Sequence, residues 1–126
     1  MVKGIGIDLC SISRIRKILD REGPEGPFFL RTFTEAERRE AERIRNKAPF
    51  YAARFAAKEA AYKAIAPLTA KGFDLRIVES LHREDGSPYI SLSDALLPVL
   101  SEAGIEKIFL SVTTEADFAQ AMVLVE

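Results

Sequence analysis

Cysteine and histidine are both scarce in this sequence of 126 residues, which has one of each. The lone cysteine, Cys10, excludes an internal disulfide and any thiolate cluster for zinc. No apolar run approaches the ~20 residues that a membrane-spanning helix requires, and the N-terminus lacks the apolar core and cleavage site of a secretory signal. We therefore expect a protein that remains in the reducing cytoplasm.

An excess of positive charge is missing as well. Lysine and arginine number 18, aspartate and glutamate 19, and the formal net charge is -1, which argues against general nucleic-acid binding. One basic patch directed at one acidic partner is still possible. The length and the 48% hydrophobic content are typical of a soluble globular protein and predict one domain over residues 1–126.

The first half of the chain is predicted to contain one strand and three helices. Apolar residues recur at helical spacing in the first helix, and Thr34 with Glu37 forms a capping box for the second. The expected elements are a buried strand at Val2–Asp8, a helix capped by Ser11 or Ser13 and ending near Glu22, a turn-rich connector at Gly23–Pro27, a helix at Glu35–Asn46, and a helix after Pro49 that ends at Pro67.

The second half is predicted to contain two hairpins around a short helix. A turn at Asp85-Gly86 favours the first hairpin, because this dipeptide accepts positive φ angles. The expected elements are strands at Leu75–Leu81 and Pro88–Leu92, a helix capped by Ser93 and ending at Gly104, and strands at Lys107–Thr113 and Phe118–Val125. The order β-α-α-α-β-β-α-β-β predicts an α+β fold, with a small, mainly antiparallel sheet packed on helices.

The segment Arg54–Ala64 has the most distinctive charge pattern, a carboxylate among three cations on an alanine-rich helix. Glu59 and Lys63 are one turn apart and share a face, as do Arg54 and Lys58. Most such pairs are ordinary ion pairs on a solvated helix surface. A second carboxylate, at the end of the first strand, favours a functional interpretation.

That second carboxylate is Asp8. If the third helix crosses the end of the first strand, Asp8 and Glu59 lie a few ångströms apart and require a cation. Oxygen ligands without a cysteine or a histidine pair favour Mg²⁺, which keeps several waters and accepts phosphate oxygens from its substrate. The substrate would then carry a pyrophosphate, and Lys63 or Lys58 could neutralise charge on the leaving phosphate.

Several segments follow one another in an order and at intervals found in a known family. They are Gly4–Asp8 with Arg14-Ile15, Phe33–Glu37, Arg54–Ala64, Asp85–Pro88, Ser111–Thr113 and Ala119–Glu126. In these segments the chain resembles the holo-[acyl-carrier-protein] synthases, the small single-domain type of 4'-phosphopantetheinyl transferase. The resemblance covers nearly the whole chain, and its central motif is long enough to be specific.

This resemblance implies a 4'-phosphopantetheinyl transferase-like fold and a reaction. In the reaction, 4'-phosphopantetheine moves from coenzyme A to a serine of apo acyl carrier protein, and adenosine 3',5'-bisphosphate is released. The family is typically a homotrimer with active sites at the subunit interfaces. Ser111–Thr113 would then complete the site of a neighbouring subunit.

The resemblance also implies roles for individual residues. It makes Asp8 and Glu59 the Mg²⁺ ligands, and Lys63 the group that contacts the pyrophosphate and assists the leaving phosphate. The other implied contacts are Arg54 and Lys58 with the coenzyme A phosphates, and Arg14 with the acidic recognition helix of the carrier protein.

The chain departs from the family pattern in two places. Ala66–Gly72 stands where relatives usually have a glycine-rich loop, and Thr114 stands where many have a histidine. These changes leave coenzyme A contacts in the loop, and the general base, unassigned. They also keep open a non-catalytic homologue that binds coenzyme A or the carrier protein. A generic Mg²⁺-dependent phosphohydrolase is a third alternative, although such enzymes usually have more carboxylates.

Some other residues have simpler interpretations. His82, the only histidine, is expected to be an ordinary surface or half-buried residue, and Cys10 a buried apolar one. Phe28-Phe29 and Phe33 are expected in the core, with an apolar contact to the pantetheine arm or the carrier protein as the alternative.

Overall fold

Residues 1–126 are all described by a computed structural model. Its elements are β1 Gly4–Ser11, α1 Ile12–Glu22, α2 Pro27–Thr32, α3 Glu35–Glu42, α4 Lys47–Ile65, β2 Glu79–His82, β3 Pro88–Ser91, α5 Leu97–Ala103, β4 Ile108–Glu115 and β5 Phe118–Val125, with short 3-10 turns at Ala66–Leu68 and Leu75–Ile77. The predicted α+β class and the order of strands and helices are confirmed. The short α2, which begins at Pro27, was not predicted from the sequence.

Two antiparallel sheets make up the β structure. One has the strand order β1-β5-β4, and the other pairs β2 with β3. Both predicted hairpins are therefore present. The inner face of the three-stranded sheet presents the buried side chains of Ala119, Ala121, Val123 and Val125 from its central strand, and α4 packs across this face.

Helix α4 is rich in alanine where it meets the sheet. Ala57, Ala60, Ala61 and Ala64 are all buried, and small side chains allow a helix and a strand to come close together. β1 lies directly on this surface. Helix α4 is therefore the central element of the fold, because it packs on both β1 and β5.

One face of β1 is exposed, so the prediction of a fully buried strand is wrong for that face. Ile5, Ile7 and Leu9 are 62%, 53% and 57% exposed, whereas Gly6 and Cys10 are buried. Strand side chains alternate between two faces, and only one face of β1 is covered by α4. The expectation that Cys10 is a buried residue is confirmed.

Two predicted boundaries also need correction. The helix expected over Glu35–Asn46 ends at Glu42. Lys47 closes this end, because its ammonium donates to the carbonyl of Ala41 at 2.9 Å and to that of Ile44 at 2.6 Å, and such bonds satisfy carbonyls left unpaired at a helix end. The strand expected from Leu75 begins only at Glu79, after a 3-10 turn.

The caps predicted for the first two helices are confirmed, and one alternative is resolved. Ser11, rather than Ser13, is the N-cap of α1, since its hydroxyl accepts a hydrogen bond from the Arg14 amide at 3.2 Å. The capping box of α3 is complete: the Glu37 amide donates to the Thr34 hydroxyl, and the Thr34 amide donates to the Glu37 carboxylate at 2.8 Å.

The cap predicted at Ser93 is wrong. Helix α5 has Leu96 as its N-cap, and the Ser93 hydroxyl accepts a hydrogen bond from the Leu96 amide at 3.3 Å, before the helix begins.

A fully buried ion pair connects α3, α4 and β2. The Lys58 ammonium lies 2.8 Å from the Glu37 carboxylate and donates to the Val78 carbonyl at 2.6 Å, while the other carboxylate oxygen accepts from the Ser80 amide at 2.9 Å. Burial raises the pKa of Glu37 and lowers that of Lys58. Each charge depends on the other, because an isolated charge in such a place is strongly unfavourable.

None of the five α-helices combines the length and hydropathy that a transmembrane span needs.

We predict that Lys58→Met lowers the free energy of unfolding by about 3–5 kcal/mol, since it leaves the Glu37 carboxylate buried without a partner. Urea denaturation of both proteins measures this difference. In a Glu37→Gln background, Lys58→Met should lower the free energy of unfolding by clearly less, because no buried carboxylate is then left without a partner. Equal costs in the two backgrounds would contradict a charge-dependent interaction.

Candidate active site

Asp8 and Lys63 meet where β1 crosses α4. The Lys63 ammonium donates to the Asp8 carboxylate at 3.1 Å and to the Ile7 carbonyl at 3.0 Å. Asp8 is on the same face of β1 as Gly6, the face turned toward the helix, because strand side chains alternate. The Asp8 side chain is only 16% exposed, whereas the Lys63 side chain is 53% exposed.

Glu59 lies one turn before Lys63 on the same side of α4. Burial raises the pKa of the Glu59 carboxyl, and the negative charge of Asp8 raises it further, while Lys63 and Arg14 act in the opposite direction. The predicted pair of carboxylates therefore shares one electrostatic environment. Its two neighbouring cations come from different helices.

A divalent cation is compatible with this group, although the protein alone does not enclose one. No cluster of three or more histidine, cysteine, aspartate or glutamate side chains is present. Mg²⁺ is commonly held by one or two carboxylates together with water and substrate phosphates. Asp8 and Glu59 repel each other while both are ionised, so a cation between them would relieve that repulsion.

Arg54 and Lys58 do not join this group. The buried Arg54 guanidinium donates to the Ser80 carbonyl at 2.6 Å and pairs with Glu40, and Lys58 is occupied by Glu37. Of all buried side-chain nitrogen and oxygen atoms, only Arg54 Nε has no hydrogen-bond partner. Their predicted contact with coenzyme A phosphates stays a prediction.

His82 contributes to a cavity that was not predicted from the sequence. Its Nδ1 lies within hydrogen-bond distance of the Arg54 guanidinium, and burial, followed by the positive charge of Arg54, lowers its pKa. The cavity has a volume of about 220 Å³, and its lining includes Arg54, Ser80, His82, Gly86, Thr113 and Thr114. His82 reaches this cavity because β2 pairs with β3 and packs near Arg54 of α4. Such long-range contacts cannot be predicted from a local sequence pattern.

Arg14 is located on α1 beside a second, cationic depression. Its guanidinium lies 5.7 Å from the centre of the Phe55 ring, a distance typical of a cation–π contact. Lys17 and Arg21 line the same depression. Arg14 thus has two neighbourhoods. Its positive charge lowers the pKa of Glu59, and its side chain also borders the basic surface formed with Lys17 and Arg21.

The phenylalanines predicted for the core are largely there. Phe29 and Phe33 are fully buried and pack against Tyr51 with tilted rings, whose centres are 4.8 and 4.7 Å away. Phe28 is half-buried and contacts Phe55, with ring centres 5.7 Å apart. Only Phe28 keeps surface that another molecule could contact near Arg14 and Phe55.

Known proteins match this chain over its full length. Residues 4–121 match the model of the 4'-phosphopantetheinyl transferase superfamily. A holo-[acyl-carrier-protein] synthase of Myxococcus xanthus (strain DK1622) is 45% identical over 127 residues, covering 99% of this chain and 95% of the relative. The chain therefore belongs to the 4'-phosphopantetheinyl transferase superfamily and, within it, to the holo-[acyl-carrier-protein] synthase family of enzymes.

Solved structures agree with this assignment. The crystal structure of holo-[acyl-carrier-protein] synthase from Neisseria meningitidis superposes with a TM-score of 0.85 at 32% identity, covering 100% of this chain and 99% of that one. The Helicobacter pylori enzyme, solved in complex with coenzyme A, superposes with a TM-score of 0.78 at 28% identity, covering 97% and 99%. The family resemblance read from the sequence is confirmed.

We predict that Lys63→Met raises the pKa of the Glu59 carboxyl further, because it removes the nearest cation from the carboxylate pair. Carbon-detected NMR titration of the Glu59 carboxyl in metal-free buffer measures the change. Lys17→Met, which removes an equal charge from the outer surface of α1, serves as the control and should leave that pKa in place. An unchanged value in Lys63→Met would show that Lys63 does not act on Glu59.

Proposed function

We propose that this protein transfers 4'-phosphopantetheine from coenzyme A to a serine hydroxyl of apo acyl carrier protein in the cytoplasm, in an Mg²⁺-dependent reaction carried out by a single domain. The contact of Asp8 with Lys63 at the crossing of β1 and α4, with Glu59 one turn before Lys63 on the same helix, is the observation that carries the proposal. The names of the relatives, and the complex of one of them with coenzyme A, support it.

The proposed reaction is a displacement at phosphorus. The serine oxygen forms a bond to the phosphorus that carries pantetheine, the pyrophosphate P–O bond breaks, the serine proton is released, and adenosine 3',5'-bisphosphate leaves. Bound Mg²⁺ would supply positive charge to the phosphate oxygens. Asp8 and Glu59 would hold it, and no general base is assigned among the side chains.

Lys63 is proposed to stabilise the leaving phosphate. Its side chain is half exposed and already directed toward Asp8, so its ammonium can reach a phosphate bound beside the carboxylates. Fixed positive charge at the point where negative charge develops is the main contribution of a protein to such transfers.

The coenzyme A phosphates have one further candidate contact. The cavity beside Arg54 is lined by hydroxyl groups, by His82 and by Arg54 itself, which is a suitable chemistry for an anion. Lys58 has no exposed surface, so we propose that it supports this region by fixing α4, and that any phosphate contact belongs to Arg54.

The carrier protein is proposed to dock on the cationic surface of α1. Arg14, Lys17 and Arg21 lie on one side of this helix, a pattern suited to an acidic helix because complementary charge guides association. Arg14 borders the carboxylate pair, so a serine delivered along this surface arrives close to the proposed Mg²⁺.

Three copies of the chain are proposed to assemble through the outer face of the three-stranded sheet. This face exposes large apolar side chains on all three strands, and Ile7, Met122 and Ser111 are paired across them in one row. The exposed large apolar residues of this face are Ile5, Ile7, Leu9, Phe109, Phe118 and Met122. An apolar face of this kind marks an interaction site, and Ser111–Thr113 at its edge would complete the site of a neighbour.

Intact-mass measurement of apo acyl carrier protein, incubated with the protein, coenzyme A and Mg²⁺, tests the transfer. We predict addition of one phosphopantetheine, its loss with a chelator, and a decrease of at least roughly 100-fold in rate for Glu59→Gln, which removes a ligand charge but keeps the shape. Glu106→Gln is the matched control, because this exposed carboxylate precedes β4 and makes no side-chain hydrogen bond.

The alternatives give different results. Coenzyme A binding without transfer to any carrier protein would favour a non-catalytic homologue. Release of adenosine 3',5'-bisphosphate without an acceptor would favour a phosphohydrolase. Unchanged transfer and Mg²⁺ dependence in Glu59→Gln would exclude Glu59 as a ligand.

We predict that Met122→Lys converts the trimer to single chains, because it puts a charge at the centre of the apolar sheet face. Multi-angle light scattering after size-exclusion chromatography measures the mass. Leu30→Lys, an equally exposed apolar position on α2, is the control and should leave the trimer intact. A wild-type protein with the mass of one chain would contradict the proposed assembly.

A further inference from the structure

Two glycines of β1 face the backbone of α4 at unusually short range. A Cβ atom built on Gly6 would lie 1.9 Å from the Ala60 carbonyl oxygen and 2.8 Å from the Ala64 amide nitrogen, and one on Gly4 would lie 2.4 Å from the Ala64 carbonyl oxygen. Cβ contacts under 3.0 Å are essentially not observed, and these neighbours are backbone atoms, which cannot turn aside.

Space, rather than backbone conformation, requires these glycines. Neither has a positive φ, in contrast to Gly23, Gly72, Gly86 and Gly104. Any L-amino acid could adopt the strand conformation at Gly6, so the reason for glycine is the close approach of strand and helix.

The closest of these contacts is adjacent to the proposed metal ligands. Gly6 is two residues before Asp8 and on the same face of β1, and the carbonyl that it meets belongs to Ala60, the residue after Glu59. Asp8 therefore lies next to the strand side of this contact, and Glu59 lies next to its helix side.

We propose that Gly6 is a positioning residue that sets the spacing of Asp8 and Glu59, and thereby the size of the divalent cation that they accept. The inference rests on the proposed function, because it assumes that these carboxylates bind the cation. Gly4 lies two residues before Gly6 on the same face of β1 and makes a similar contact with α4, farther from the site.

Cation size provides a readout that a loss of stability would not change. Mg²⁺ requires near-octahedral geometry with oxygen distances of about 2.0–2.1 Å, whereas Ca²⁺ accepts irregular shells at about 2.3–2.6 Å. A side chain at position 6 must push β1 away from α4 and move Asp8 away from Glu59. The widened site should lose Mg²⁺ more than Ca²⁺.

The experiment compares the binding of MgCl₂ and of CaCl₂ by NMR titration of the Asp8 and Glu59 carboxyl signals, in the absence of coenzyme A and carrier protein. Gly6→Ala should weaken Mg²⁺ binding by roughly 10- to 100-fold, the usual effect of disturbing the support of metal ligands, and Ca²⁺ binding much less. Gly4→Ala, a second variant with a less severe contact, should show a smaller change in the same direction.

Leu100→Ala is the control, since it removes a buried side chain of α5 far in sequence from both ligands. It should lower the thermal midpoint but keep the wild-type ratio of Mg²⁺ to Ca²⁺ affinity. A folded Gly6→Ala or Gly4→Ala protein with the wild-type ratio would overturn the positioning role while leaving the proposed function intact. Wild-type protein whose carboxyl signals do not respond to Mg²⁺ would also overturn the positioning role, whereas the proposed transfer is decided separately by the intact-mass measurement with coenzyme A present.

Discussion

The packing of β1 on α4 is the contact on which the rest of the structure depends. One strand without side chains at two inward positions lies on one helix whose facing side chains are alanines. Because the strand carries Asp8 and the helix carries Glu59 and Lys63, this one contact creates both a core and a polar site. The other strands, β5 and β4, extend the surface that begins there.

Local patterns in the sequence were sufficient to predict most of the elements and their order. The capping box at Thr34 and the turn at Asp85-Gly86 act over a few residues, so their consequences can be read directly. The end of α3 was not predictable in this way. It depends on Lys47, whose ammonium turns back onto carbonyls that become available only once the helix has ended.

The site was predictable in part for a similar reason. The pairing of Glu59 with Lys63 follows from helical spacing, and Asp8 was added as a second carboxylate at the end of the first strand. The family resemblance then implied that both carboxylates are Mg²⁺ ligands. Spacing also suggested that Arg54 and Lys58 form an equivalent pair, yet each has its own carboxylate from α3. Helical periodicity identifies which residues share a face, but it does not identify what that face meets. The contact of His82 with Arg54 has the same origin in long-range packing.

Lys58 and Glu59 are consecutive residues whose side chains leave α4 in different directions, one into the buried pair with Glu37 and the other toward Asp8. The pair with Glu37 therefore fixes the rotation of α4 about its own axis as well as its position. The motif Arg54–Ala64 is consequently not a portable unit. Grafted onto another helix without the acidic α3, it would keep its sequence but lose the orientation that directs Glu59 toward the strand.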